Sequence, residues 1–88
     1  MLRQETEIVN KLGLHARASA KLTQLAGSFK CEVWMEKGPR RINAKSIMGV
    51  MMLAAECGST LHLIADGVDE EYLLEEIEAL FNSGFDED

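Results

Sequence analysis

The hydrophobic period of this chain switches repeatedly between about two and about 3.6 residues, and this alternation constrains its fold most. Residues 2–9 place Leu2, Thr6 and Ile8 on one side and Arg3, Glu5 and Glu7 on the other, the pattern of a strand with one solvated face. Asn10 to Gly13 break it. From Ala16 to Phe29 the apolar positions are Ala18, Leu22, Leu25, Ala26 and Phe29, spaced as on one face of a helix. Gly27-Ser28 predicts its end, with Gly27 as the residue just past the cap. Cys31, Val33 and Met35 then alternate with Glu32, Trp34 and Glu36, a second strand. Lys37-Gly38-Pro39-Arg40 predicts a turn, and Arg41 to Ala44 a third strand completing a hairpin.

Ser46 predicts the N-cap of an apolar helix over 47–55, stopped by Gly58. Leu61, Leu63 and Ala65 form one face of a fourth strand, with His62 out of phase on its solvent side. Asp69 predicts the cap of a last helix, with Glu70 and Glu71 in its first turn, where the helix dipole favours acid. Leu73, Leu74, Ile77, Leu80 and Phe81 form its apolar stripe, and Asn82-Ser83-Gly84 ends it. The acidic residues after Phe85 read as a loose tail. The order β-α-β-β-α-β-α predicts an α+β fold in which four strands carry the helices on one face, an open sandwich. Residues 1–88 read as a single domain without linker or repeat.

Charge narrows the partners. Nine Lys and Arg stand against 15 Asp and Glu, a net charge of −6, which repels a phosphate backbone and argues against nucleic acid. Most of that acid lies between Asp66 and Asp88, whereas Lys37 to Arg41 and Lys45 form a positive stretch. No apolar run reaches the roughly 18 residues a membrane span needs, and the first seven residues lack the apolar core of a secretory signal. A cytoplasmic location is therefore expected. Cys31 and Cys57 are expected to be reduced and mostly buried. Neither belongs to a C-x-x-C or a spaced Cys/His set, so no metal or other cofactor is expected.

Three stretches could carry chemistry. His15 falls where the first helix begins, so an anion on its ring nitrogen would lie near the N–H groups of Ala16 and Arg17, at the positive end of the helix dipole. Arg17 adds a cation that can engage phosphate oxygens in pairs. On spacing alone, the plainer reading is favoured, a histidine that merely caps a helix beside a solvated arginine. Ser46, a cap, is also a chemically sensible regulatory phosphosite. Ile47, Met48, Val50, Met51, Met52 and Leu53 crowd a short helix with one core-facing side, so some are expected at the surface, as an adaptable docking patch. Gly49 is out of place there, by close approach of a partner or by tight packing.

Gly13-Leu14-His15-Ala16-Arg17 and Lys45-Ser46-Ile47-Met48-Gly49-Val50-Met51 together resemble the HPr family, the histidine-containing phosphocarriers of the bacterial phosphoenolpyruvate-dependent phosphotransferase system. The resemblance covers essentially the whole chain. It implies an open-faced β-sandwich with a four-stranded antiparallel sheet and three helices on one face. It implies that His15 accepts a phosphoryl group at Nδ1 from phospho-enzyme I and passes it to an enzyme IIA, with Arg17 beside the group. It makes Ser46 the site of a regulatory HPr kinase/phosphorylase. It assigns partner docking to Ala16, Ala20, Ile47, Met48, Gly49 and Met51, with Lys45 in the same stretch, and a monomeric carrier is expected. The family usually has proline after the active-site arginine; Ala18 stands there instead, which leaves that turn looser. Lys45-Ser46-Ile47-Met48-Gly49 is more similar to the sugar-system HPr, which is the expected branch, whereas Leu80 to Asp88 is more similar to NPr, the nitrogen-related paralogue, so that alternative stays open. So does a different class, a non-catalytic docking module in which His15 only starts a helix; a small-ligand sensor is weaker, with no pocket-forming polar set.

Overall fold

The computed structural model describes residues 1–86. Its elements are β1 (Leu2–Glu7), α1 (Ala16–Gly27), β2 (Glu32–Lys37), β3 (Arg40–Asn43), α2 (Ile47–Leu53), β4 (Thr60–Asp66) and α3 (Glu70–Asn82), followed by a single 3-10 turn at Gly84–Asp86. The strands form one antiparallel sheet in the order β1-β4-β2-β3. Register pairs Leu2 with Ala65 and Thr6 with Leu61, then Val33 with Ala65 and Met35 with Leu63. Period-two alternation thereby turns Thr6, Val33, Met35, Leu61, Leu63 and Ala65 to one face. All are buried. Against them pack Ala18, Leu22 and Ala26 of α1, Val50 and Leu53 of α2, and Leu73, Ile77 and Phe81 of α3. This is the expected open-faced α+β sandwich.

The opposite sheet face carries a smaller cluster. Ile64 is buried there although it stands outside the core, flanked across the strands by Arg3 and Trp34. Arg41 lies over the Trp34 ring, 4.9 Å from its centroid. Glu36 accepts from Arg3 at 2.7 Å and lies 3.7 Å from Arg41. Such exposed pairs add only about 0–1 kcal/mol each. His62 lies half-buried on this same face, as its phase required.

Several local expectations are corrected. α1 continues through Gly27, and Ser28 is the cap, in an ordinary right-handed conformation (φ −80°). The amide and hydroxyl of Ser28 both donate to the Leu25 carbonyl, satisfying an orphan acceptor without glycine. α2 ends at Leu53, two residues early, because Ala54 turns left-handed at φ 54° and donates its amide to Met51. Asp69 occupies the N-cap of α3 but makes no side-chain capping bond. Its carboxylate accepts instead from the backbone amides of Lys30 and Cys31, each at 2.9 Å. Cys31 is buried but Cys57 is exposed, so only one thiol is in the interior. Phe85, just before the residues expected to form a loose tail, is fully buried with its ring 5.0 Å from Phe81. Of the acidic tail, Asp86 belongs to the turn, while Glu87 and Asp88 lie outside the described residues.

Candidate functional site

The β1–α1 connection is built to stop a strand and start a helix within a few residues. The Gly13 amide donates to the Asn10 carbonyl at 3.1 Å, closing a turn, and Asn10 Nδ2 donates back to the Gly13 carbonyl at 2.8 Å. Gly13 is left-handed (φ +63°), and a β-carbon there would meet the Ala55 carbonyl oxygen at 2.5 Å. Only glycine fits that approach. Leu14 buries its side chain and donates its amide to Ala55 at 2.9 Å, anchoring the loop beside the end of α2. The Leu14 carbonyl then accepts from the Ser19 hydroxyl at 3.0 Å.

His15 follows as the N-cap of α1, extended at φ −74° and ψ −178°, with its carbonyl accepting the first helical bond from Ser19 at 2.8 Å. Its side chain makes no capping hydrogen bond and is half-exposed. The opening amides of a helix lack intrahelical acceptors, so those after His15 suit an anion. No acidic residue lies in the first turn of α1 to oppose one. Ala16 and Arg17 are exposed, Ala20 half-buried, and Ala18 fully buried. Ala18 thus fills the usual proline position as a core residue of the helix.

α1 packs against α2, so the second candidate stretch adjoins the first. Ser46 is the N-cap of α2, and its hydroxyl accepts from the Gly49 amide at 3.1 Å. Val50 and Leu53 are buried, whereas Ile47, Met48, Met51 and Met52 are exposed, Met48 most of all at 68%. The surplus of apolar residues therefore does reach the surface. At Gly49 a β-carbon would sit 3.4 Å from Ile42 and from the Ser46 hydroxyl, ordinary contact, so packing alone does not demand glycine. Lys45 is half-buried and spends its ammonium on the Phe29 carbonyl at 2.8 Å, just past the end of α1.

Two features near His15 escape sequence reading. Leu12 is 70% exposed and Val9 50%, apolar additions in and beside the same loop. Asn10 is buried and ties the loop together, a role hinted at only by asparagine's preference for turns. The open concavity at the start of α3, lined by Gly67, Asp69, Glu71 and Tyr72, is acidic and holds none of the candidate residues.

Fold and site define an open-faced α+β domain that presents one histidine at a helix start, next to an arginine and an apolar helix. Comparison with known proteins supplies the family. Residues 2–83 match the PTS-HPr model, the phosphorylation-site model of the HPr component. The chain is 58% identical over 87 residues to the phosphocarrier protein HPr of Cupriavidus necator, covering 99% of this chain and 98% of that protein. The HPr-C-His crystal structure from Thermoanaerobacter tengcongensis superposes with a TM-score of 0.97 at 42% identity, over 100% of this chain and 99% of that one. The chain belongs to the HPr family of phosphocarrier proteins of the phosphotransferase system. An HPr dimer from Thermoanaerobacter tengcongensis also matches, with a TM-score of 0.80 at 42% identity over 99% of this chain and 100% of that one. A strictly monomeric carrier is therefore not a property the family guarantees. Among the described residues, no helix is long and apolar enough to cross a membrane.

Proposed function

We propose that His15 accepts a phosphoryl group from phospho-enzyme I and hands it to an enzyme IIA of the sugar phosphotransferase system. The observation that carries this reading is the position of His15: it is the half-exposed N-cap of α1, a helix with no acidic residue in its first turn. A phosphoryl group on that ring would lie among the opening amides of the helix, with Arg17 two residues away on the exposed side. Transfer between two histidines breaks one phosphorus–nitrogen bond as it forms another. It therefore asks for in-line positioning and charge stabilisation more than for covalent help from the protein.

Ile47, Met48 and Met51, with Ala16 and Ala20, form the docking patch in this reading, and flexible methionines suit it to several partners in turn. Ser46 lies at its edge. A phosphate there adds nearly two negative charges where partners dock, so a Ser46 kinase would act as a brake on transfer. The test is mass spectrometry after incubation with phosphoenolpyruvate and enzyme I. Acid-labile, alkali-stable phosphate is expected on the parent and none on His15→Ala; full labelling of that variant would remove His15 from the reaction. Ser46→Asp is expected to weaken enzyme I binding, and unchanged affinity by calorimetry would move the dock elsewhere. The high identity to proteins named HPr favours the sugar branch over the nitrogen branch.

A further inference from the structure

We infer that Asn10 is a positioning residue for His15, and that the carboxy-terminal turn at Gly84–Asp86 holds Asn10 in place. The loop that carries His15 is braced at Leu14 by Ala55 from one side and by Ser19 from α1. A further brace is Asn10, which is buried, receives the Gly13 amide on its carbonyl and donates from Nδ2 to the Gly13 carbonyl. These reciprocal bonds fix the orientation of the peptide two residues before the histidine.

Asn10 is in turn backed by the far end of the chain. Gly84 lies next to it: a β-carbon added there would stand 3.6 Å from Asn10 Cβ, at ordinary contact distance. Gly84 is held there because Phe85 is fully buried against Phe81 and its carbonyl accepts from Lys21 Nζ at 2.6 Å. Lys21 belongs to α1, the helix that His15 opens. One connected set of contacts thus runs from α1 through Lys21, Phe85 and Gly84 to Asn10, Gly13 and back to His15. A site that must present a nitrogen for in-line attack is sensitive to displacements of about 1 Å, which can cost about a hundredfold in rate.

The experiment compares the parent with Asn10→Ala, Asn10→Asp, Phe85→Leu and a core control outside this set of contacts, Ile77→Ala, in the full-length chain. Three readouts are taken: His15 ring proton shifts by NMR, thermal stability, and the rate of phosphoryl transfer from phospho-enzyme I at saturating carrier. Asn10→Ala and Asn10→Asp, which both lose the donor to Gly13, are expected to move the His15 ring signals and slow transfer about tenfold at saturation. Phe85→Leu should do so to a smaller extent, while Ile77→Ala should lose stability yet leave ring signals and saturating rate at parental values. Parental ring signals and rate in both Asn10 variants would overturn the inference. So would equal effects from Ile77→Ala, which would reduce Asn10 to a general stabiliser. The rate arm rests on the carrier reading and the ring-signal arm does not, so a parent that never labels would sink that reading while the NMR comparison still decides this one.

Discussion

The Asp69 carboxylate joins the start of α3 to the start of β2, its Oδ1 accepting from the Cys31 amide and its Oδ2 from the Lys30 amide, each at 2.9 Å. The residue spelled as a helix cap serves instead as a clamp between segments far apart in sequence. The Lys30 amide holds the Asp69 carboxyl below the usual carboxylate range, with Cys31 adding to the effect and partial desolvation opposing it. A carboxyl group depressed on folding contributes stability above its unfolded value and loses it as pH falls through the folded one. An asparagine side chain keeps one acceptor oxygen but turns an N–H toward a backbone donor. Asp69→Asn is therefore expected to lower the melting temperature at neutral pH, and the gap to the parent should close as pH falls below about 4. Melting curves between about pH 2 and about pH 8 check this, and a pH-independent gap would count against the clamp.

The two thiols should behave oppositely toward a water-soluble disulfide reagent. Burial, reinforced by the neighbouring Asp69 carboxylate, pushes the Cys31 thiol up to about 11, and the thiolate is the reactive form. Cys57 is exposed. One thiol is expected to react in the native protein and both after denaturation, with peptide mapping placing the fast label on Cys57. Two fast thiols in the native protein would contradict the burial of Cys31.

Gly13 and Gly49 should respond to alanine in opposite directions. Gly13→Ala forces a side chain into a left-handed residue and against the Ala55 carbonyl, at an expected cost of about 2 kcal/mol or more. Gly49→Ala removes the helix penalty of glycine where the new methyl meets only ordinary contacts, for an expected gain of up to about 1 kcal/mol. Urea unfolding of both variants tests the pair, and a stabilised Gly13→Ala would mean that the loop can yield.

Stability and docking should separate at Ser46. Its hydroxyl accepts from the Gly49 amide, so Ser46→Ala is expected to cost about 1 kcal/mol. Aspartate caps as well as serine, so Ser46→Asp should keep most of that stability in the same urea experiment. Any loss of enzyme I binding by Ser46→Asp then reflects charge at the patch and not a damaged helix.

The sequence makes some of this structure legible and leaves the rest hidden for physical reasons. Strand and helix phases survive in the order of residues because one face of each element is buried, so Val33, Met35, Leu61 and Leu63 announce their side. The histidine at a helix start and the surplus methionines of α2 are equally visible, since both are local. Long-range satisfaction is not. Nothing near Asp69 in sequence announces Lys30 and Cys31, nothing near Lys45 announces Phe29, and nothing near Asn10 announces Gly84. The early end of α2 is hidden for another reason: Ala54 adopts a left-handed conformation that alanine disfavours, and propensity argues against it. Ser28 likewise ends α1 although Gly27 is the stronger signal: its hydroxyl joins its own amide on the Leu25 carbonyl.

The strand order has a consequence for synthesis on the ribosome. β1 emerges first but sits at a sheet edge whose sole neighbour is β4, with Leu2 opposite Ala65 and Glu7 opposite Thr60. Translation proceeds at roughly 5–20 residues per second, so the nascent amino-terminal segment waits seconds for its partner. β2 and β3, joined by a tight turn, can zip together meanwhile. Pairing of β1 must therefore wait until β4 has been made.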